Sequence, residues 1–109
     1  MSENPVTNAA EQSAALLAML WERGLPRLHE RLEELAAVIA LRRSGSFDAR
    51  EQEHAAATAH KLAGSLGMFG YPAGTDAARE LEHELEAGEE ADLAILEEQY
   101  AALRKALPL

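Results

Sequence analysis

Two stretches of this chain place a large apolar residue at alternating steps of three and four. They are Leu25, Leu28, Leu32, Leu35 and Ile39, then Leu93, Leu96, Tyr100, Leu103 and Leu107. That spacing gathers each set onto one stripe of an α-helix and leaves the other faces to charge. No segment alternates with period two over a useful length, so strands are not indicated. Each stripe needs another to bury it, and the chain is expected to be all-helical.

The breaks between stripes are short. A first helix is expected from Thr7 or Asn8, either of which can cap it, to about Arg23, with Leu16, Leu17, Met19, Leu20 and Trp21 as its apolar set. Gly24-Leu25-Pro26 should end or kink it, because proline lacks the backbone donor and clashes with the preceding turn. A second helix over 26–43 ends at Ser44-Gly45-Ser46. Asp48 with Glu51 reads as a capping box for a third, running to about Met68. Tyr71-Pro72-Ala73-Gly74 separates it from a fourth, marked by Ala77, Ala78, Leu81 and Leu85 and closed by Gly88. A last helix is expected from Glu89 to Ala106. Short connections favour an antiparallel up-down-up-down four-helix bundle with an additional N-terminal helix. The 109 residues suit one domain over 1–109, with residues 1–6 expected to fray. A monomer is expected, because four stripes can satisfy one another.

Charge and composition narrow the function. The net charge of −9 opposes nucleic acid, whose binding rests on phosphate neutralisation, and disfavours anionic membranes. No run approaches the roughly 20 apolar residues of a membrane span. The start of the chain lacks a basic segment followed by an apolar one, so a cytoplasmic location is expected. Without cysteine there is no disulfide, thiolate chemistry or Cys-based zinc site. His29, His54 and His83 lack a second histidine at helical metal spacing and read as surface residues, so no metal site is expected. The paired carboxylates Glu33-Glu34, Glu89-Glu90 and Glu97-Glu98 read as solvated faces. Trp21 and Phe47 read as core or end-cap residues. Arg23, Arg27, Arg31, Arg42 and Arg43 crowd one segment, which reads as a solvated helix face that an acidic partner could use.

The segment Ala59 to Gly70 carries the candidate chemistry. Ala55, Ala59, Leu62, Leu66 and Phe69 form the core stripe of the third helix, and His60 lies about 140° from its centre at ~100° per residue. It is therefore expected to face outward. Ala56, Ala63, Gly64 and Gly67 share its side, all of them small. Glycine costs roughly 1 kcal/mol against alanine within a helix, so Gly64, Gly67 and Gly70 call for a reason. The reason expected here is steric, a bare patch beside one imidazole that admits something bulky.

This run resembles the signature of the histidine-containing phosphotransfer (HPt) domain of bacterial phosphorelays. The matching residues are Ala59, His60, Leu62, Gly64, Ser65 and Gly70, followed by Ala77, Ala78, Leu81 and Glu82. Many members carry Lys three residues after the histidine, where this chain has Ala63. The resemblance implies that His60 takes a phosphoryl group from one response-regulator receiver domain and hands it to another. A hybrid sensor histidine kinase would stand upstream. Lys61 would neutralise the phosphate, and Ala56, Ala63, Gly64 and Gly67 would give steric access and a docking surface. Ser65 is read as structural. No cofactor is implied for the chain itself, since Mg²⁺ is expected on the receiver, and no kinase or ATP-binding activity is implied.

Two other readings stand beside it. One is a docking-only helical module, a degenerate HPt domain that binds receivers or kinases without accepting phosphate. The other is a segment of a sensor kinase, against which the starting Met1 and the complete set of helices favour a free-standing protein.

Overall fold

The computed structural model describes residues 5–109, with side chains from Ala9 onward. Four α-helices and one 3-10 turn follow in order: α1 (Pro5–Arg43), α2 (Ala49–Met68), α3 (Pro72–Leu85), the 3-10 turn Gly88–Glu90, and α4 (Leu93–Lys105). Each α-helix packs on its neighbours in sequence and α1 also packs on α4, which closes the ring of a four-helix bundle. Leu32, Leu35, Leu62, Leu66, Leu81, Leu96 and Leu103 fill the centre, all less than 2% exposed. The expected leucine stripes are the core.

The ends of the helices follow from their residues. Asp48 caps α2, its carboxylate accepting the Glu51 amide at 3.0 Å. Gly70, at φ +81°, reverses the chain after α2. The Tyr71 amide donates to the Leu66 carbonyl at 2.9 Å and the Gly70 amide to Gly67, a pairing that needs a left-handed residue in the turn. Gly70 is therefore a helix stop and not part of a bare patch beside His60. Asp92, unremarked in the sequence, caps α4 through the amides of Ala94 and Ile95. The last helix consequently begins at Leu93 rather than Glu89, and Glu89 and Glu90 belong to the 3-10 turn.

The N-terminal region departs from expectation. There is no separate first helix: α1 runs unbroken for 39 residues, with Pro26 inside it. The proline forfeits one hydrogen bond, but Trp21 and Leu25 are packed against the core on one side of it and Leu28 on the other, which holds the axis through the defect. Pro5 and Val6 stand in its first turn; the rest of the expected frayed end, residues 1–4, lies outside the described residues. At 1.5 Å per residue α1 is about 58 Å long against about 30 Å for α2, so its N-terminal part overhangs the bundle.

Two polar clasps tie the connections down. Gln52, 2% exposed, donates from Nε2 to the carbonyls of Leu85 and Gly88 at 3.0 and 2.6 Å. Arg42 donates to the carbonyls of Gly88, Glu89 and Ala91 and lies over the Phe47 ring, 5.2 Å from its centroid. Arg43 pairs with Glu97 at 3.1 Å. Two of the five clustered arginines thus serve the fold. Among the described residues no helix is long and apolar enough to cross a membrane.

Candidate functional site

The buried arc of α2 runs from Ala56 and Ala63 on the α3 side to Thr58 on the α1 side. Thr58 donates to Glu34 there at 2.9 Å. His60 sits just past the α3 edge of that arc, with 74% of its side chain exposed. Its position, set by the leucine stripe, places it in solvent as expected.

The ring has a partner on the neighbouring helix. Its Nδ1 lies 2.9 Å from Oε2 of Glu82 on α3, a carboxylate whose side chain is only 23% exposed. An ionised carboxylate only accepts, so the hydrogen of the neutral imidazole belongs on Nδ1 and the lone pair on Nε2. Glu82 follows Leu81, which is fully buried and anchors this part of α3. Sequence reasoning cited Glu82 only as part of the resemblance and missed this contact. The available signal was an acidic residue beside the deepest apolar position of the neighbouring helix.

The small residues divide into two groups. A side chain carbon added at Gly64 would meet nothing within 4 Å, so the turn after His60 is open to solvent. One added at Gly67 would meet the Thr75 hydroxyl at 3.7 Å, ordinary contact. Both glycines are exposed. Ala56 and Ala63 are not, at 7% and 5%. The expectation that they lie on an open face is corrected: α3 covers that side of α2, and Thr75 donates to the Ala63 carbonyl at 3.3 Å. His60 therefore has α3 on one side and open backbone on the other. Ala57, exposed one turn before His60, adjoins this open side and was passed over in the sequence.

Lys61 is exposed and leaves α2 about 100° round from His60. Ser65 is half-buried on the far flank, in a groove between α1 and α2 of about 100 Å³. Trp21, Leu28, Leu62 and Phe69 line that groove, and Arg27 and Arg31 border it. Trp21 meets Phe69 edge-on with ring centroids 5.4 Å apart, and Tyr71 at 4.9 Å. Of the remaining histidines, His54 faces Glu34 at 3.5 Å.

The arrangement presents an exposed imidazole, hydrogen-bonded through Nδ1 to Glu82, beside unobstructed helix backbone. Chemically, an exposed imidazole nitrogen with a lone pair can serve as a nucleophile and as a leaving group. The family model described as Hpt domain matches residues 9–107, nearly the whole chain. Neither a curated protein nor a solved structure matches the chain. A family match of that extent, over a helical bundle that presents a histidine from its second helix, makes the chain a member of the Hpt domain family, the phosphotransfer modules of phosphorelay signalling.

Proposed function

We propose that His60 is the phosphoryl acceptor and donor of this domain. The observation that carries the reading is the Glu82 contact, which engages Nδ1 and so directs the lone pair of the neutral ring to Nε2, on a side chain that is three-quarters exposed. The Nε2 lone pair attacks the phosphorus of a receiver's aspartyl phosphate, and the phosphorus–oxygen bond to the aspartate breaks with the carboxylate as leaving group. The ring gains positive charge as the phosphorus–nitrogen bond forms, and Glu82, hydrogen-bonded to Nδ1, offsets it. In the onward step the carboxylate of a second receiver attacks, and the neutral imidazole departs.

Phosphoryl transfer depends on positioning and charge more than on covalent help, and the parts divide accordingly. Lys61 brings positive charge toward the phosphoryl oxygens. Gly64 and Gly67 leave room for the receiver's loops over the turns after His60. Mg²⁺ stays with the receiver, and a hybrid sensor kinase in the cytoplasm supplies the phosphoryl group upstream. The domain has no kinase activity of its own.

The test is direct. Incubation with a phosphorylated receiver should place an acid-labile, base-stable label on the chain, and His60→Gln should abolish it while leaving the helical signal unchanged. Binding of receivers without any label across a panel would instead assign a docking-only role.

A further inference from the structure

A phosphoryl group on Nε2 of His60 would bring about two negative charges to a site that already holds carboxylates. Glu82 engages Nδ1, and Glu86 follows it one turn later at the C-cap of α3. Lys61 leaves α2 about 100° round from the ring. The charge balance calls for a second cation, and the packing of α3 on α2 shows where one stands.

Two contacts fix the register of this antiparallel pair. Glu82 meets His60, and Thr75 is the neighbour that a side-chain carbon at Gly67 would meet. His60 and Gly67 are seven residues apart on α2, and so are Glu82 and Thr75 on α3, in the reverse direction. Arg79, three residues before Glu82, is therefore level with Ala63, three residues after His60. That is about 4.5 Å along the axis from the level of the ring. Round α3, Arg79 stands about 60° from Glu82, on the side away from the buried Leu81 and Leu85. Round α2, Gly64 stands about 40° from His60 toward solvent. Both thus border one outer surface, the arginine exposed and the glycine with open space around it. Among the described residues Arg79 forms no ion pair.

We propose that Arg79 binds the phosphoryl group of phospho-His60 from the neighbouring helix, an inference that rests on His60 being the phosphoryl acceptor. A guanidinium suits the task, because it stays charged and its fork of N–H donors matches phosphoryl oxygens. Packed helix axes lie about 8–10 Å apart, a gap that an extended arginine spans. The α2 positions facing it are Ala63, Gly64 and Gly67, none carrying more than a methyl. The remaining charges give the site a direction. Glu53 and Glu86 lie toward the start of α2, whereas Arg79 and the glycines lie toward its end. Asp76 and His83 stand further round α3, about 120° and 100° from Glu82. The phosphoryl group is drawn over the glycine turn, where a receiver has room.

Phosphoramidate tests this without a receiver, since it passes its phosphoryl group to imidazole with loss of ammonia. The phosphorus NMR resonance that His60→Gln removes reports phospho-His60, and its movement with pH reports the last ionisation of the phosphoryl group. A nearby cation favours the dianion and lowers the pH at which it forms. Arg79→Gln should raise that pH by about half a unit. Arg79→Lys should restore most of the difference, and Arg104→Gln, which removes an exposed cation on α4, should change nothing. Transfer from a phosphorylated receiver to the Arg79→Gln chain should slow about threefold, with the helical signal retained.

An ionisation that Arg79→Gln leaves in place, or that Arg104→Gln moves as far, overturns the proposal. So does a wild-type chain that phosphoramidate does not label at His60. The phosphotransfer role fails separately: receivers that never label the wild-type chain overturn it, while the altered ionisation still upholds the Arg79 contact.

Discussion

Oε2 of Glu82 and Nδ1 of His60 stand 2.9 Å apart across two helices, and under the proposed phosphotransfer the contact matters more for chemistry than for folding. With the imidazole largely in solvent, the pair contributes under about 1 kcal/mol to stability. Losing it frees the ring to exchange tautomers and rotate. Glu82→Ala should therefore slow phosphotransfer about tenfold while unfolding shifts by less than ~1 kcal/mol. Nitrogen NMR of His60 should change from a protonated Nδ1 to a mixture of the two tautomers; an unchanged spectrum would remove the orienting role. Gly64 separates steric from conformational effects. With open space around it, Gly64→Ala should stabilise the helix by about 0.5–1 kcal/mol in a urea titration. Gly64→Leu should keep the fold and reduce transfer from a receiver to less than about a tenth, a loss of more than ~1.4 kcal/mol in the barrier. Transfer at the wild-type rate in the leucine variant would mean that the receiver approaches from another side.

Among the elements, α1 holds the clearest conflict between local preference and tertiary structure. Pro26 breaks one backbone hydrogen bond in the middle of a helix that is nevertheless continuous. Pro26→Ala should restore that bond and stabilise the chain by about 1–3 kcal/mol in urea unfolding. A neutral or destabilising result would mean that the helix is jointed there in solution. The same residue shows where sequence reasoning stops. The leucine stripes and the Asp48 cap were legible because each is settled within one helical turn or two, whereas Gly70 was read with the bare patch and is a helix stop. Pro26 was read as a break because the packing of Trp21, which helps override it, is set by Phe69 and Tyr71, about fifty positions away. Ala56 and Ala63 were placed on the correct side of α2, but a helical wheel cannot say which sector a neighbouring helix will roof. Glu82 was visible as a residue and invisible as a contact, for it depends on how α3 lies against α2.

For the molecule as a whole, cohesion without disulfides comes from a leucine and alanine core plus a few buried polar links between connections. Gln52 is the most deeply placed of these, and its Oε1 has no partner while its Nε2 serves two carbonyls. Gln52→Leu should cost about 1–3 kcal/mol, since the Leu85 and Gly88 carbonyls lose their donor. Thermal unfolding would read the loss, and an equal or higher midpoint would show that water replaces the amide at no cost. The His60 ring is tied into this same framework. Its aim is fixed from α3, whose seat on α2 is in turn fixed by Leu81 and by Thr75 at the Ala63 carbonyl. A slip between those two helices would thus misdirect the ring before it melted anything, which makes the imidazole a gauge of alignment in an interior it never enters.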